Sequence, residues 1–233
     1  MSDFEQDIAR LANWMFEASR IVLFTGAGIS TDSGVPDYRG PDGVWTRRDA
    51  GLPPHEKQDW SLAAPNICHQ AVLELQQLHK LAYLVSQNID NLHLASGIEF
   101  DRIAELHGNV ARVRCIQCEM TFAKIVGLNQ CSECGGELKS SVVGFGDSLP
   151  AEDLRKSFAY AEACDLMIVL GSSLVVTPAA LVPQVAKQSG ARLVIINQGE
   201  TPLDLMADLR LDAGLADTFV PAVAQLKLLL NNE

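Results

Sequence analysis

Long apolar runs are missing from this 233-residue chain. No stretch approaches the roughly eighteen consecutive apolar residues that cross a bilayer, so no membrane-spanning helix is expected. Positive charge is scarce too: 18 Lys and Arg stand against 29 Asp and Glu, a net charge of −11. Such a chain repels a phosphate backbone, so direct nucleic-acid binding is not expected, while basic partners such as lysine-bearing peptides are favoured. The opening residues Met1-Ser2-Asp3-Phe4-Glu5 lack the basic cluster of a secretory signal, and a cytoplasmic protein is expected. Internal repeats and low-complexity tracts are absent as well.

What is present suits one compact unit with a small insertion. Hydrophobic residues make up 48% of the chain, ample for a buried core. Phe4, Ile8, Leu11, Ala12, Met15 and Phe16 recur at helical spacing. Short apolar runs follow at residues 20–24, 81–85, 166–170 and 192–196, and read as buried strands. Strand-like runs at 110–113 and 141–145 flank a cysteine-bearing segment, and helices are expected at about 65–79, 151–163, 178–189 and 221–231. Apolar strands alternating with helices predict a doubly wound, Rossmann-like parallel sheet covered on both faces. The stretch from Gly34 to Pro65, with Trp45 and Trp60, reads as an ordered loop or small lobe.

Several of these strands end in small or amide residues: Gly26, Gln87-Asn88, Gly171-Ser172 and Asn197. In open α/β sheets ligands bind beyond the carboxyl ends of the strands, so these residues would line one crevice. The turn Gly26-Ala27-Gly28-Ile29-Ser30-Thr31 could bring backbone and a helix N-terminus to a pyrophosphate, although Thr31 stands where the usual fingerprint has its third glycine. A tight turn without a ligand is the alternative. Arg39 could meet a phosphate, or could serve a structural ion pair. Gln87, Asn88 and Asp90 could bind a ribose or a carboxamide, or Asn88 or Asp90 could cap a helix. His107, taken alone, reads more readily as structural than as catalytic, yet at the mouth of the crevice its near-neutral titration would suit a general base. His69 and His79 read as structural or solvent-facing, and His55 and His93 lack context. Two pairs, Cys115-x2-Cys118 and Cys131-x2-Cys134, stand twelve residues apart. Two such knuckles supply the four thiolates of a structural zinc site and leave no position open for catalysis. Cys68 and Cys164 read as small buried residues.

In their order, these motifs resemble the sirtuin family, most closely its minimal bacterial and archaeal members. The matching stretches are GAGIS at 26–30, GVPDYRG at 34–40, QNID at 87–90, HG at 107–108, the cysteine pairs, FGDSLP at 145–150, GSSLVV at 171–176 and IN at 196–197. The resemblance implies a Rossmann-like NAD-binding domain (1–35, 65–109 and 140–233), a small helical or loop module (36–64) and a zinc-binding module (110–139). It implies that Gly26, Ala27, Gly28, Thr31, Tyr38, Arg39, Gln87, Asn88, Ile89, Asp90, Gly171, Ser172, Ser173, Asn197, Gln198 and Leu215 hold NAD. Val143, Gly144, Phe145 and Gly146 would receive an acyl-lysine peptide as an added strand. His107 and Asn88 would be catalytic, yielding nicotinamide, free lysine and O-acyl-ADP-ribose. Gly144 stands where many sirtuins carry Trp or Phe, which would either open the acyl channel to longer chains beside acetyl or only alter the peptide strand; removal of longer acyl groups is the expectation. The Tyr-x-x-Arg pair of desuccinylating members is not evident after Arg39. Two other readings share the pocket: a protein mono-ADP-ribosyltransferase, or a catalytically silent NAD-sensing module.

Overall fold

The computed structural model describes residues 2–55, 62–144 and 146–232. Trp60 and Phe145 lie outside them. The four fully apolar runs form the central strands β1 (Ile21–Thr25), β2 (Leu81–Ser86), β7 (Leu166–Leu170) and β8 (Arg192–Ile196). Nearly every residue in them is buried, as expected of a parallel sheet covered on both faces. Two three-residue strands, β3 (Ile103–Glu105) and β9 (Leu209–Leu211), complete a six-stranded sheet in the order β3-β2-β1-β7-β8-β9, paired in parallel throughout.

One face packs on α1 (Asp3–Glu17), α3 (Ile67–Gln77) and α7 (Leu215–Asn231), with Leu11, Met15, Val72, Leu75, Phe219 and Val223 buried against it. The other is covered by α5 (Ala151–Ala163) and α6 (Leu181–Gln188). Ser2 and Glu5 form a reciprocal capping box that starts α1. Helix α7 begins six residues before the position that the sequence suggested, because Pro221 lies inside it rather than opening it. Two short helices, α2 (Val44–Asp49) and α4 (Leu92–Ser96), sit in the connections.

Between β3 and β7 the chain makes a separate three-stranded antiparallel ribbon, β5-β4-β6, from β4 (Arg112–Cys115), β5 (Thr121–Ala123) and β6 (Leu138–Ser140). The strand expected at 141–145 is displaced to β6. Ser141 to Gly144 leave the ribbon, and the Val143 N–H donates instead to the His107 carbonyl at 2.9 Å. No helix among the described residues is long and apolar enough to cross a membrane.

Strand order places the topological switch at β1 and β7. Successive strands step away from this junction in opposite directions, which opens a crevice at their carboxyl ends.

Candidate active site and metal centre

The ladder of the sheet runs one residue past each strand end. Gln87 N–H donates to Thr25 O (3.0 Å), Gly26 N–H to Leu170 O (3.0 Å), Gly171 N–H to Ile196 O (2.9 Å) and Asn197 N–H to Leu211 O (3.1 Å). These bonds bring the predicted strand-end clusters to one edge. Gly28 N–H donates to Gly171 O at 3.0 Å, and a Cβ on Gly171 would lie 2.7 Å from the Gly28 carbonyl carbon. Gly171 also has φ +62, so this backbone-to-backbone contact requires glycine. No α-helix follows the first glycines, contrary to the expected helix N-terminus. Two single 3₁₀ turns, Ala27–Ile29 and Thr31–Ser33, carry the chain away.

Behind the turn lies a buried polar network. The Ser30 hydroxyl donates to Asp90 Oδ2 at 2.7 Å and accepts from Asn88 Nδ2 at 3.0 Å. With that proton committed, His69 Nε2, 3.5 Å from Ser30 Oγ, approaches as donor. Asp90 Oδ1 also accepts from Leu92 N–H at 2.9 Å, so this aspartate both orders the start of α4 and holds Ser30. Asp90 stands one residue before Asn91, the N-cap of α4, so of its two readings these bonds bear only on the helix-capping one. His93 Nε2 lies 3.0 Å from Thr25 Oγ1, and its ring packs 4.9 Å from that of His69. Burial lowers the His69 pKa to about 4 and depresses His93 strongly, so both rings are neutral at pH 7. Ser30, His69 and His93 therefore belong to the site, although the sequence singled out none of them as site residues. The contacts of Ser30 span 39 and 60 residues, and only the fold brings such partners together.

His107 stands beside this network, half-buried. Its Nδ1 lies 2.8 Å from the Gln87 carbonyl. A carbonyl only accepts, so the proton of the neutral ring resides on Nδ1 and the lone pair on Nε2. Burial lowers the pKa, opposed in part by the bond to Gln87. The imidazole is thus held in the basic form, ready to take a proton at Nε2. Gln87 also donates from Nε2 to Ser172 Oγ at 2.6 Å, so His107, Gln87 and Ser172 link the ends of β3, β2 and β7. Gly108 has φ +78, and a Cβ there would lie 1.9 Å from Ser141 O, which fixes the chain direction just past His107.

Of the other predicted residues, Arg39 packs over the Trp45 ring at 4.5 Å, and Tyr38 meets the same ring at 5.0 Å. Arg39 makes no ion pair with any described residue, so the salt-bridge reading of it is not borne out. Thr31 Oγ1 donates to Gly28 O at 3.1 Å, which braces the glycine turn. Asn197 closes its own turn through Gln198 O and Gly199 O, and Leu215 is buried at the start of α7. Ala27, Ile89 and Ser173 are half-buried along the same edge, and Gly144 and Gly146 are exposed at the ribbon side.

The donor set fits a dinucleotide. Asn88 is 7% exposed, yet its Oδ1 has no hydrogen-bond partner among the described residues, and neither has Ser33 Oγ. An orphaned buried acceptor at the switch-point crevice matches a ligand that brings its own donors.

In the ribbon, Cys115, Cys118, Cys131 and Cys134 place all four Sγ atoms within 4.8 Å of one another. The Cys115–Cys134 and Cys118–Cys131 separations are 3.5 and 3.6 Å. A tetrahedron with metal–sulfur bonds of about 2.3 Å has edges of about 3.8 Å, so the site matches a four-thiolate zinc centre. Gln117 N–H points at Cys115 Sγ at 3.4 Å, as in a metal knuckle. Cys68 and Cys164 are buried apart from this set.

Comparison with known proteins agrees with this geometry. The Sir2 family model matches residues 54–178. The chain is 38% identical to NAD-dependent protein deacetylase 1 of Bradyrhizobium diazoefficiens, over 95% of this chain and 97% of that protein. It is 37% identical to NAD-dependent protein deacylase 1 of Archaeoglobus fulgidus, over 87% and 91%. It resembles the solved structure of a Sir2 homologue in complex with NAD, with a TM-score of 0.75 and 33% identity over 95% of this chain and 94% of that one. With its switch-point crevice, its ordered motifs and this match along nearly its whole length, the chain belongs to the Sir2 family.

Proposed function

We propose that this chain is an NAD-dependent protein-lysine deacylase in which His107 is the general base. The observation that carries the assignment of the base is the His107 tautomer: Nδ1 is fixed on Gln87 O at 2.8 Å, leaving a lone pair on Nε2 at the crevice. NAD, bound as co-substrate, supplies an electrophilic anomeric carbon when nicotinamide departs, and the acyl oxygen of the modified lysine is the nucleophile.

The chain's residues divide the work. Gly26, Gly28 and Gly171 let backbone approach the phosphates. Thr31, Tyr38 and Arg39 line the turn over them, with Ala27 beside. Gln87, anchored to Ser172, faces the ribose next to the leaving group. Asn88 offers its unpartnered Oδ1, while Ile89 and Asp90 border the carboxamide. Ser173, Asn197, Gln198 and Leu215 hold the adenosine half. Ser30, bonded to both Asn88 and Asp90, sets their directions, and neutral His69 supports Ser30. His107 Nε2 would take the proton of a ribose hydroxyl, so that this oxygen can attack the acyl carbon; the lysine amine then leaves with a proton, and a water adds to the acyl carbon to give O-acyl-ADP-ribose. Water must be excluded until then, and the largely buried network behind Ser30 serves that end. Val143, Gly144 and Gly146 present an edge to the incoming peptide.

Cys115, Cys118, Cys131 and Cys134 would hold zinc as a structural ion, since four thiolates fill its coordination sphere. The units of the chain are a Rossmann-like part (1–35, 65–109 and 140–233), a small module at 36–64 and the ribbon module at 110–139.

Incubating the protein with NAD and an acetyl-lysine peptide, with products read by mass, tests the assignment. Deacylated peptide, nicotinamide and O-acyl-ADP-ribose should appear in equal amounts. A peptide or protein that instead gains the mass of ADP-ribose would favour a transferase.

A further inference from the structure

Beside the ribbon lies a groove of about 370 Å³, bordered by β4, β6 and the residues Val142, Val143, Asp147 and Ser148. Its wall adjoins the catalytic centre, because the Val143 N–H is bonded to the backbone of His107 at 2.9 Å. Two cations line it, Arg114 and Lys139, directly opposite one another in the β4–β6 register. Like charges at such cross-strand positions, about 5 Å apart at Cβ, disfavour the sheet.

Among the described residues, no ion pair closer than 4.0 Å engages either cation. Arg114 is half-buried, yet its side chain makes no hydrogen bond or ion pair with any described residue. Burial raises the Asp153 carboxyl, and Arg114 is among the cations that oppose the rise from a distance. Lys139 has only an exposed contact of 4.0 Å with Glu137, an arrangement worth little. Arg112, two residues before Arg114, behaves differently: it lies 3.7 Å from the Glu105 carboxylate and 4.1 Å over the Phe100 ring. Glu119 and Asp147 also line the groove, but Asp147 Oδ2 accepts from Gly144 N–H at 3.0 Å, and neither forms an ion pair with Arg114.

We propose that this groove binds an acidic side chain of the protein substrate, an aspartate or glutamate flanking the acyl-lysine, through Arg114 and Lys139. The inference rests on the deacylase reading, since that reading brings a peptide along Val142 to Gly144. An acylated lysine is uncharged, so the reacting residue gains nothing from the acidic field of the chain. A carboxylate is repelled over most of a surface carrying a net charge of −11 and finds two weakly engaged cations in this groove. The arginine fork offers paired donors to a carboxylate, and the lysine adds a mobile point charge.

The test uses zinc-loaded full-length protein and labelled acetyl-lysine peptides that carry one glutamate, or one glutamine, at each flanking position in turn. Binding is read by fluorescence anisotropy and turnover by mass. At one position the glutamate peptide should bind, and be turned over, about tenfold better, with the advantage shrinking as salt screens the pair. In the double variant Arg114→Gln, Lys139→Gln the ratio should fall to about 1, and Arg114→Glu should prefer a lysine at that position. Zinc content is measured for each variant because Arg114 adjoins Cys115; should the arginine variants lose metal, Lys139→Gln alone must still lower the ratio. No preference at any position, or a preference that survives the substitutions, overturns the proposal. A binding preference abolished by the substitutions, without loss of the acyl group from any peptide, upholds the groove and refutes the reaction. Flat binding with normal turnover does the reverse.

Discussion

Replacing Glu105 with glutamine should change how stability depends on pH. Glu105 ends β3, with its side chain 11% exposed, and its Oε1 accepts from Asn109 Nδ2 at 2.5 Å. The same Asn109 amide donates to Asn91 Oδ1 at 2.9 Å, so the carboxyl is tied to the residue that follows Asp90. Burial raises its pKa from 4.5 to about 7, against the opposing pulls of Asn109 and Arg112, while Asp153 and Asp90 add to the rise. Between those two values the folded protein retains a proton that the unfolded chain has released. Unfolding free energy must therefore fall as pH rises through this window, and the penalty is complete above about pH 7. At about 1.4 kcal/mol per pKa unit, the shift amounts to about 3 kcal/mol. Glu105→Gln stays neutral throughout and keeps an acceptor for Asn109. The stability of wild type relative to the variant should thus drop by up to about 3 kcal/mol from pH 5 to pH 8. Urea unfolding of both zinc-loaded proteins across that range measures the difference, in which the thiolates cancel. Parallel pH profiles for the two proteins would refute the reasoning.

Three further outcomes follow from the geometry. Cys118→Ser should abolish tight zinc binding and unfold the ribbon, with metal analysis and near-UV circular dichroism as the readouts, because binding energy on the order of 10 kcal/mol is coupled to folding in such sites. Gly108→Ala should cost more than about 3 kcal/mol in chemical denaturation, since φ is +78 and the new Cβ would lie 1.9 Å from Ser141 O. By the resemblance Gly144 stands where many sirtuins have an aromatic ring, so myristoyl-lysine peptides should be turned over beside acetyl ones, and negligible long-chain activity would sink that expectation.

Much of this was legible in the sequence because burial leaves a local mark. Runs such as Leu166–Leu170 are apolar throughout because both faces of their strand are covered, and the helix of residues 151–163 carries its own period. Strands β3 and β9 escaped notice, since three residues are too few to show alternation. Val142 and Val143 read as strand from their side chains, but the amide of Val143 is spent on His107 O, a partner that no pattern reveals. In the site, Gln87 and Asn88 were visible as polar residues at a strand end, whereas His107 stood out only through the motif that carries the resemblance. His69 was hidden because it sits in the first turn of α3, where Asn66 caps the helix around it, and its link to Ser30 exists only in three dimensions. The lone pair of His107 was equally invisible, for it depends on which carbonyl its Nδ1 meets.

The most direct test of the central claim is turnover of an acetyl-lysine peptide with NAD by His107→Ala, compared with wild type at equal zinc content and equal NAD binding. With the proton acceptor removed and the rest of the crevice intact, turnover should fall by about a hundredfold or more. A variant that retains full activity would contradict the assignment of His107 as the base.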